Sequence, residues 1–101
     1  MAVKSKRERN DGFIANYSWA LEQLKAGEVV TRKGWNGKGM FLFYVEGEDK
    51  LVSDFECPAL EGEVIFHRPY VAMKDVQGHV VAWLCSQTDA LADDWGYYEA
   101  D

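Results

Sequence analysis

Residues 28–45 read Glu28-Val29-Val30-Thr31-Arg32-Lys33-Gly34-Trp35-Asn36-Gly37-Lys38-Gly39-Met40-Phe41-Leu42-Phe43-Tyr44-Val45, and this stretch decides the fold. Val29, Val30 and Thr31 are β-branched, so residues 28–32 are predicted to form a strand. The next seven residues carry Gly34, Gly37 and Gly39, a loop by composition. Residues 40–45 are wholly apolar. A strand there is expected to be buried on both faces, or to set one face against another subunit.

Working outward, Tyr17, Ala20, Leu21 and Leu24 fall at helical spacing, with Asn16 as N-cap and Gly27 as the left-handed closing residue. The spacing predicts a helix over 17–26. Beyond the apolar run, Gly47-Glu48-Asp49 is turn chemistry, and Leu51-Val52 is read as the start of a return strand. Residues 54–63 are irregular, with Pro58 and Gly62, and 64–66 and 70–73 are short strand candidates. Gly78 marks a hairpin turn leading to Val80, Val81 and Trp83. Ser86-Gln87-Thr88-Asp89 opens a short helix through Ala90, Leu91 and Ala92, with Ser86 as N-cap and Asp89 as a short-armed capping-box partner. Residues 95–98 are a candidate for a last short strand. With no βαβ repeat, the fold class is α+β: an N-terminal helix packed on an antiparallel sheet, and a short C-terminal helix.

The chain has 101 residues, enough for one domain, and a net charge of −6. Four cations and one anion fall in the first ten residues, so that segment is +3 and the other 91 residues are −9. Residues 1–12 are expected to be a basic flexible extension and 13–101 a single domain. An acidic body lacks the clustered cationic face that grips a nucleic-acid polymer. The apolar runs are too short to span a membrane, and the start lacks the apolar segment of a secretory signal. Cys57 and Cys85 form no CxxC or Cys/His cluster. The expected setting is therefore a reduced cytoplasm. The chain is 14% aromatic, with four tryptophans. That is more large apolar surface than one thin core needs, so some is expected at a subunit interface or in a ligand pocket.

No catalytic constellation emerges. His67 and His79 lack metal-ligand spacing. Cys85 is a candidate nucleophile, but its place in the apolar run from Val80 favours the reading of a buried, inert thiol. Asp93 and Asp94 are adjacent, so on a helix they diverge by about 100° and read as a solvated helix end rather than a shared-proton pair. There is no nucleophile elbow and no Walker loop. No enzyme, cofactor or metal is expected. Binding has better support. Arg32, Lys33 and Lys38 surround Trp35 and Asn36 in a loop whose glycines admit close backbone approach. There the Trp35 indole offers a flat face for a purine, worth about 1–3 kcal/mol. Alternatively, Trp35 plugs a sheet edge and the charges are solvated. The start of the helix after Ser86 offers free N–H groups and a partial positive charge, with Gln87, Thr88 and Asp89 suited to ribose hydroxyls or a base edge. Plain capping by Ser86 and Asp89 is the competing reading.

Taken together, several blocks resemble a known family. They are Tyr17-x-x-Ala20-Leu21-x-x-Leu24-Lys25-x-Gly27, then Thr31-Arg32-Lys33-Gly34-Trp35-Asn36-Gly37, then Met73-Lys74, and finally Trp83-Leu84-x-Ser86-Gln87-Thr88-Asp89-x-Leu91-Ala92-x-Asp94-Trp95. In order and spacing they resemble the second type of Thoeris anti-defence protein, a small phage and prophage family. The resemblance implies a non-enzymatic sponge that binds a cyclic ADP-ribose isomer made by bacterial TIR-domain sensors and holds it intact. It also implies compact α+β subunits in a homo-oligomer, dimer or tetramer, with ligand pockets between subunits, and in some members a separate place for other cyclic nucleotides. Carried over by residue, Trp35 stacks on adenine with Asn36 beside it, and Gln87, Thr88 and Asp89 line the ribose or base side. Arg32 and Lys74 are assigned to the diphosphate from charge alone. The basic extension and the segment 55–69 have no counterpart in the pattern. Two rival readings are a protein–protein interaction module that inhibits a host factor, and a hydrolase of nucleotide signals.

Overall fold

The structure, a computed structural model, describes residues 13–35, 39–51, 58–60 and 62–99. In chain order the elements are α1 (Tyr17–Lys25), β1 (Val30–Arg32), β2 (Phe41–Val45), β3 (Glu48–Leu51) and a 3₁₀ turn (Pro58–Leu60). They continue with β4 (Val64–His67), β5 (Tyr70–Lys74), β6 (Val80–Ala82), α2 (Gln87–Ala90) and β7 (Trp95–Tyr97). The α+β class is as expected: one helix on an antiparallel sheet, and a short helix near the C-terminus. The predicted basic extension lies outside the described residues.

Asn16 opens α1 as its sequence predicts, its side-chain oxygen accepting the Trp19 N–H at 3.0 Å. Gly27 follows the helix at φ +93°. Ala20 and Leu24, one turn apart, are fully buried and point the helix at the sheet. The sheet has five strands in the order β6-β5-β2-β1-β7, all neighbours antiparallel. Its register sets Tyr97, Val30, Leu42, Met73 and Val81 in one row across the strands. α1 packs over β1, β2 and β7, and Ala20, Leu24, Val30, Leu42 and Trp95 form the core. Each fully buried Leu or Val there stabilises by about 1.5–3 kcal/mol relative to exposure.

The apolar run became the central strand β2, but only Leu42 in it is fully buried. Strand alternation turns Phe41 and Phe43 to the opposite face from Leu42. On that face Phe41 meets Tyr98 at 4.5 Å between ring centroids and lies 5.6 Å beneath the Lys74 ammonium.

The expected turn at 47–49 is overturned. β3 runs on from β2, and no return strand begins at Leu51; the partner is β4, with Glu48 opposite His67 and Leu51 opposite Val64. The β2–β5 ladder ends at Val45 opposite Tyr70, so the two ladders are consecutive lengths of one ribbon. The break falls at Glu46-Gly47 opposite Arg68-Pro69. Pro69 has no N–H to give the ladder. Gly47 is packed so closely that a Cβ there would stand 2.8 Å from the His67 carbonyl oxygen. Composition that reads as a turn is the composition of a bend in a ribbon. Val52 lies outside the described residues, as do residues 54–57 of the stretch expected to be irregular. Among the described residues no helix is long and apolar enough to cross a membrane.

Candidate ligand-binding site

The loop after β1 and the short helix α2 come together above the β1–β7 edge. Ser86 caps α2, its Oγ accepting the Asp89 N–H at 3.1 Å and donating to Asp89 Oδ2 at 3.0 Å. The capping box was expected to bring the Asp89 carboxylate back to the cap. Its other oxygen is drawn away, accepting from Arg32 Nη1 at 2.6 Å and from the Trp35 indole Nε1–H at 2.9 Å. α2 is four residues long, a single turn, so it has no stack of aligned peptide dipoles, and the expected anion site at its start has no footing.

Arg32 faces the core side of the sheet opposite Trp95 in the β1–β7 register. Its Nε donates to Asp94 Oδ1 at 2.7 Å and its Nη2 reaches Asp94 Oδ2 at 3.4 Å. The reading of Asp94 as a solvated helix end is therefore overturned. Asp94 also accepts the Gly34 N–H at 2.8 Å on Oδ2, and its carbonyl accepts the Lys33 N–H at 3.1 Å. A Cβ on Gly34 would stand 2.8 Å from that carboxylate oxygen, so the loop needs glycine for Asp94 to reach its backbone. The Arg32 side chain is 14% exposed and that of Asp89 15%. The Arg32 hydrogen bond, first among several causes, holds the Asp94 carboxyl below the ordinary carboxylate value. For Asp89, burial pushes the carboxyl up, but the bonds from Trp35, Arg32 and Ser86 outweigh it and the net direction is down. Hydrogen bonding to Asp94 leads the causes that raise the Arg32 guanidinium further. All three are charged at neutral pH, and the cluster carries a net −1.

Trp35 is half-buried and packs against the core rather than standing free in its loop. Its ring meets Trp95 edge-on at 5.4 Å and 77°, and Trp83 at 6.3 Å and 61°. Trp83 and Trp95 meet at 6.2 Å, and Tyr17 lies 5.3 Å from Trp95 and 6.1 Å from Trp83. The Trp95 indole donates to the Asp89 carbonyl at 3.0 Å. Near-perpendicular ring pairs of this kind add about 0.5–1.5 kcal/mol each beyond area burial. Cys85 is half-buried beside Tyr17. Burial, with the Asp89 charge second, pushes its thiol up, so the neutral form dominates near pH 7.

Of the residues expected at a site, Arg32, Trp35 and Asp89 are in direct contact. Gln87 and Thr88 stand exposed on α2 next to Asp89. Asn36 lies outside the described residues. Lys74 pairs with Phe41 in register and so lies on the face opposite Arg32 and Trp95, where its Nζ donates to the Gly39 carbonyl at 3.0 Å. It closes the far end of the loop rather than joining the cluster. Asp94, Trp83 and Tyr17 were not singled out for the site. The available signal for Asp94 was an arginine on the same strand face as the core residue Val30, which must find a carboxylate if buried. Among the described residues no group of three or more His, Cys, Asp and Glu could hold a metal ion.

An indole is pinned by a carboxylate of α2, and the same short helix carries an exposed amide and hydroxyl, groups with the chemistry of stacking on a flat heterocycle and hydrogen bonding to its substituents. Residues 15–98 match the family model described as the Thoeris anti-defense 2-like domain. The chain is also 44% identical over 82 residues to the protein "Thoeris anti-defense 2" of Bacillus phage SP01, a match covering 79% of this chain and 90% of that one.

Proposed function

This chain belongs to the Thoeris anti-defense 2-like family, and from that premise we propose that it is a non-enzymatic sponge in the host bacterial cytoplasm. It binds a cyclic ADP-ribose-type signalling nucleotide and keeps it, unchanged, from the Thoeris effector. The observation that carries this reading is the Trp35 indole, anchored by its N–H to Asp89 of α2, the helix on which Gln87 and Thr88 stand exposed. Trp35 stacks on the adenine and the two α2 side chains take ribose hydroxyls or the base edge. Sequestration needs affinity and slow release rather than transition-state stabilisation, so the site requires no acid–base pair. The body's negative charge opposes an anionic ligand at a distance, but screening over about 8–10 Å leaves the local donors decisive. The pocket is completed in a homo-oligomer, dimer or tetramer, by a second copy. Support for a partner copy comes from the apolar side chains Val64, Phe66, Val80 and Val81, which stand exposed along β4 and β6. The same exposed residues favour the second reading, an interaction module that blocks a host protein.

Equilibrium dialysis with cyclic ADP-ribose, followed by heat denaturation and chromatography of the supernatant, tests the proposal. The expected result is stoichiometric depletion and recovery of intact nucleotide; degraded nucleotide, or turnover at substoichiometric protein, contradicts it. Trp35→Ala is expected to lower the affinity about tenfold or more, the value of one lost base stack. Full affinity in that variant removes the stacking role. Capture of a host protein with no thermal shift from the nucleotide favours the second reading.

A further inference from the structure

Arg32 was assigned to a phosphate from its charge, yet its surroundings argue for different work. Its guanidinium is shared between two carboxylates, Asp94 through Nε and Nη2 and Asp89 through Nη1. Each carboxylate has a second partner in the loop. Asp94 holds the backbone N–H of Gly34, the residue before Trp35, and Asp89 holds the indole N–H of Trp35 itself. A phosphate arriving at Arg32 would meet a cluster of net −1 and would have to displace a carboxylate to gain the fork, while the side chain is 14% exposed. The same fork is well placed to fix both carboxylates at once, because its planar donors span two acceptors that a point-charge ammonium cannot.

We propose that Arg32 is a positioning residue: through Asp94 and Asp89 it sets the orientation of the Trp35 indole before any ligand arrives. What the oriented indole receives rests on the sequestration reading above; the ligand-free clamp does not. An indole already held in place loses less freedom on stacking than one that swings, which lowers the cost of binding.

The test uses the full chain, labelled with ¹⁵N, with the Trp35 indole N–H resonance assigned by Trp35→Phe. Hydrogen exchange of that proton is read without ligand, and titration calorimetry with cyclic ADP-ribose is run in parallel. In Arg32→Lys and Asp94→Asn the Trp35 indole proton is expected to exchange about tenfold faster or more, equivalent to roughly 1.4 kcal/mol of lost protection. The Trp95 indole, bonded to the Asp89 carbonyl, should keep its rate and so report that the chain is folded. Affinity should fall in both variants together. If Arg32 instead contacts phosphate, Arg32→Lys keeps the affinity and the indole protection, and Asp94→Asn, by removing a competing anion, binds as well or better; that result overturns the proposal. Should Arg32→Lys lose its fold, Asp94→Asn reads the same clamp from its other end. Should the wild-type chain fail to bind cyclic ADP-ribose, the sequestration reading falls while the exchange rates still decide the clamp.

Discussion

The two edges of the five-stranded sheet are finished in opposite ways. At β7 all three residues are buried. α1 lies over that edge, Ala15 exchanges hydrogen bonds with Trp95 at 3.2 and 2.9 Å along its outer side, and the Tyr17, Trp35 and Trp83 rings surround the Trp95 indole. At β6 all three residues are exposed, with Val80 59% and Val81 48% accessible. An apolar edge strand left open is an invitation to pair, which proteins ordinarily blunt with charge or cover. The chain spends its large aromatic residues closing one edge and leaves the other as a surface.

The sharpest way to break this comparison is to truncate the closed edge. Trp95→Ala is expected to cost about 3–5 kcal/mol, from lost transfer energy plus the cavity left beneath α1. That is a large share of the roughly 5–15 kcal/mol available to a domain. Val80→Ala on the open edge should stay within about 0.5 kcal/mol. Urea unfolding followed by tryptophan fluorescence measures both, and equal losses would mean that the two edges are equally integrated.

The closed edge also carries the charge that should make the fold acid-sensitive. Asp94 and Asp89 are both held below the ordinary carboxylate value of 3.8, so the stability they contribute is present in full above that value. It is lost as pH falls through their lower folded-state values. Their contribution should therefore be flat from pH 7 to about 5 and decline below about 4. Asp94→Asn, which leaves a largely buried guanidinium short of a partner, should cost about 1–3 kcal/mol at pH 7 and flatten that acid limb. Asp75, in the turn before β6, is also held low, by the backbone N–H of His79 foremost. Asp75→Asn thus serves as the open-edge counterpart. If Asp75→Asn flattens the acid limb more than Asp94→Asn, the Arg32 clamp is not the main acid-labile contact.

Sequence legibility follows the same divide between local and remote. α1, with its Asn16 cap and Gly27 close, and α2, with its Ser86 cap, were readable because their signals lie within a few residues of the effect. So was the turn before β6, where Asp75 takes the N–H groups of Gln77 and His79. The bend at Gly47 was misread because a turn and a kinked ribbon share one composition; what separates them is Pro69 across the ladder. Asp94 was misread because its partner Arg32 lies 62 residues away. Trp35 was placed in the correct loop, but three indoles converging from 35, 83 and 95 have no local pattern to announce them. Lys74 looked available because charge is visible in sequence, whereas the strand parity that turns it to the other face depends on register.

The smallest effect on the chain's own stability should come with the largest change in assembly. Val81 sits in the row that continues Leu42 and Met73 to the open edge, and Phe66, 57% exposed, adds apolar surface on β4. Val81→Lys places a charge on an edge strand at a residue 48% exposed, so its own cost should lie within about 0.5 kcal/mol. If a second copy covers this edge, the wild-type chain runs as a homo-oligomer in light scattering and Val81→Lys runs as a single chain with unchanged far-UV circular dichroism. The variant's unfolding midpoint should then fall to the value that wild-type chain reaches on dilution, because association stabilises the folded state by mass action. A wild-type oligomer that Val81→Lys and Phe66→Ser leave intact would move the interface elsewhere. A wild-type chain that is monomeric at all concentrations would leave the exposed valines to a partner of another kind, and with them the reading of this domain as an interaction module.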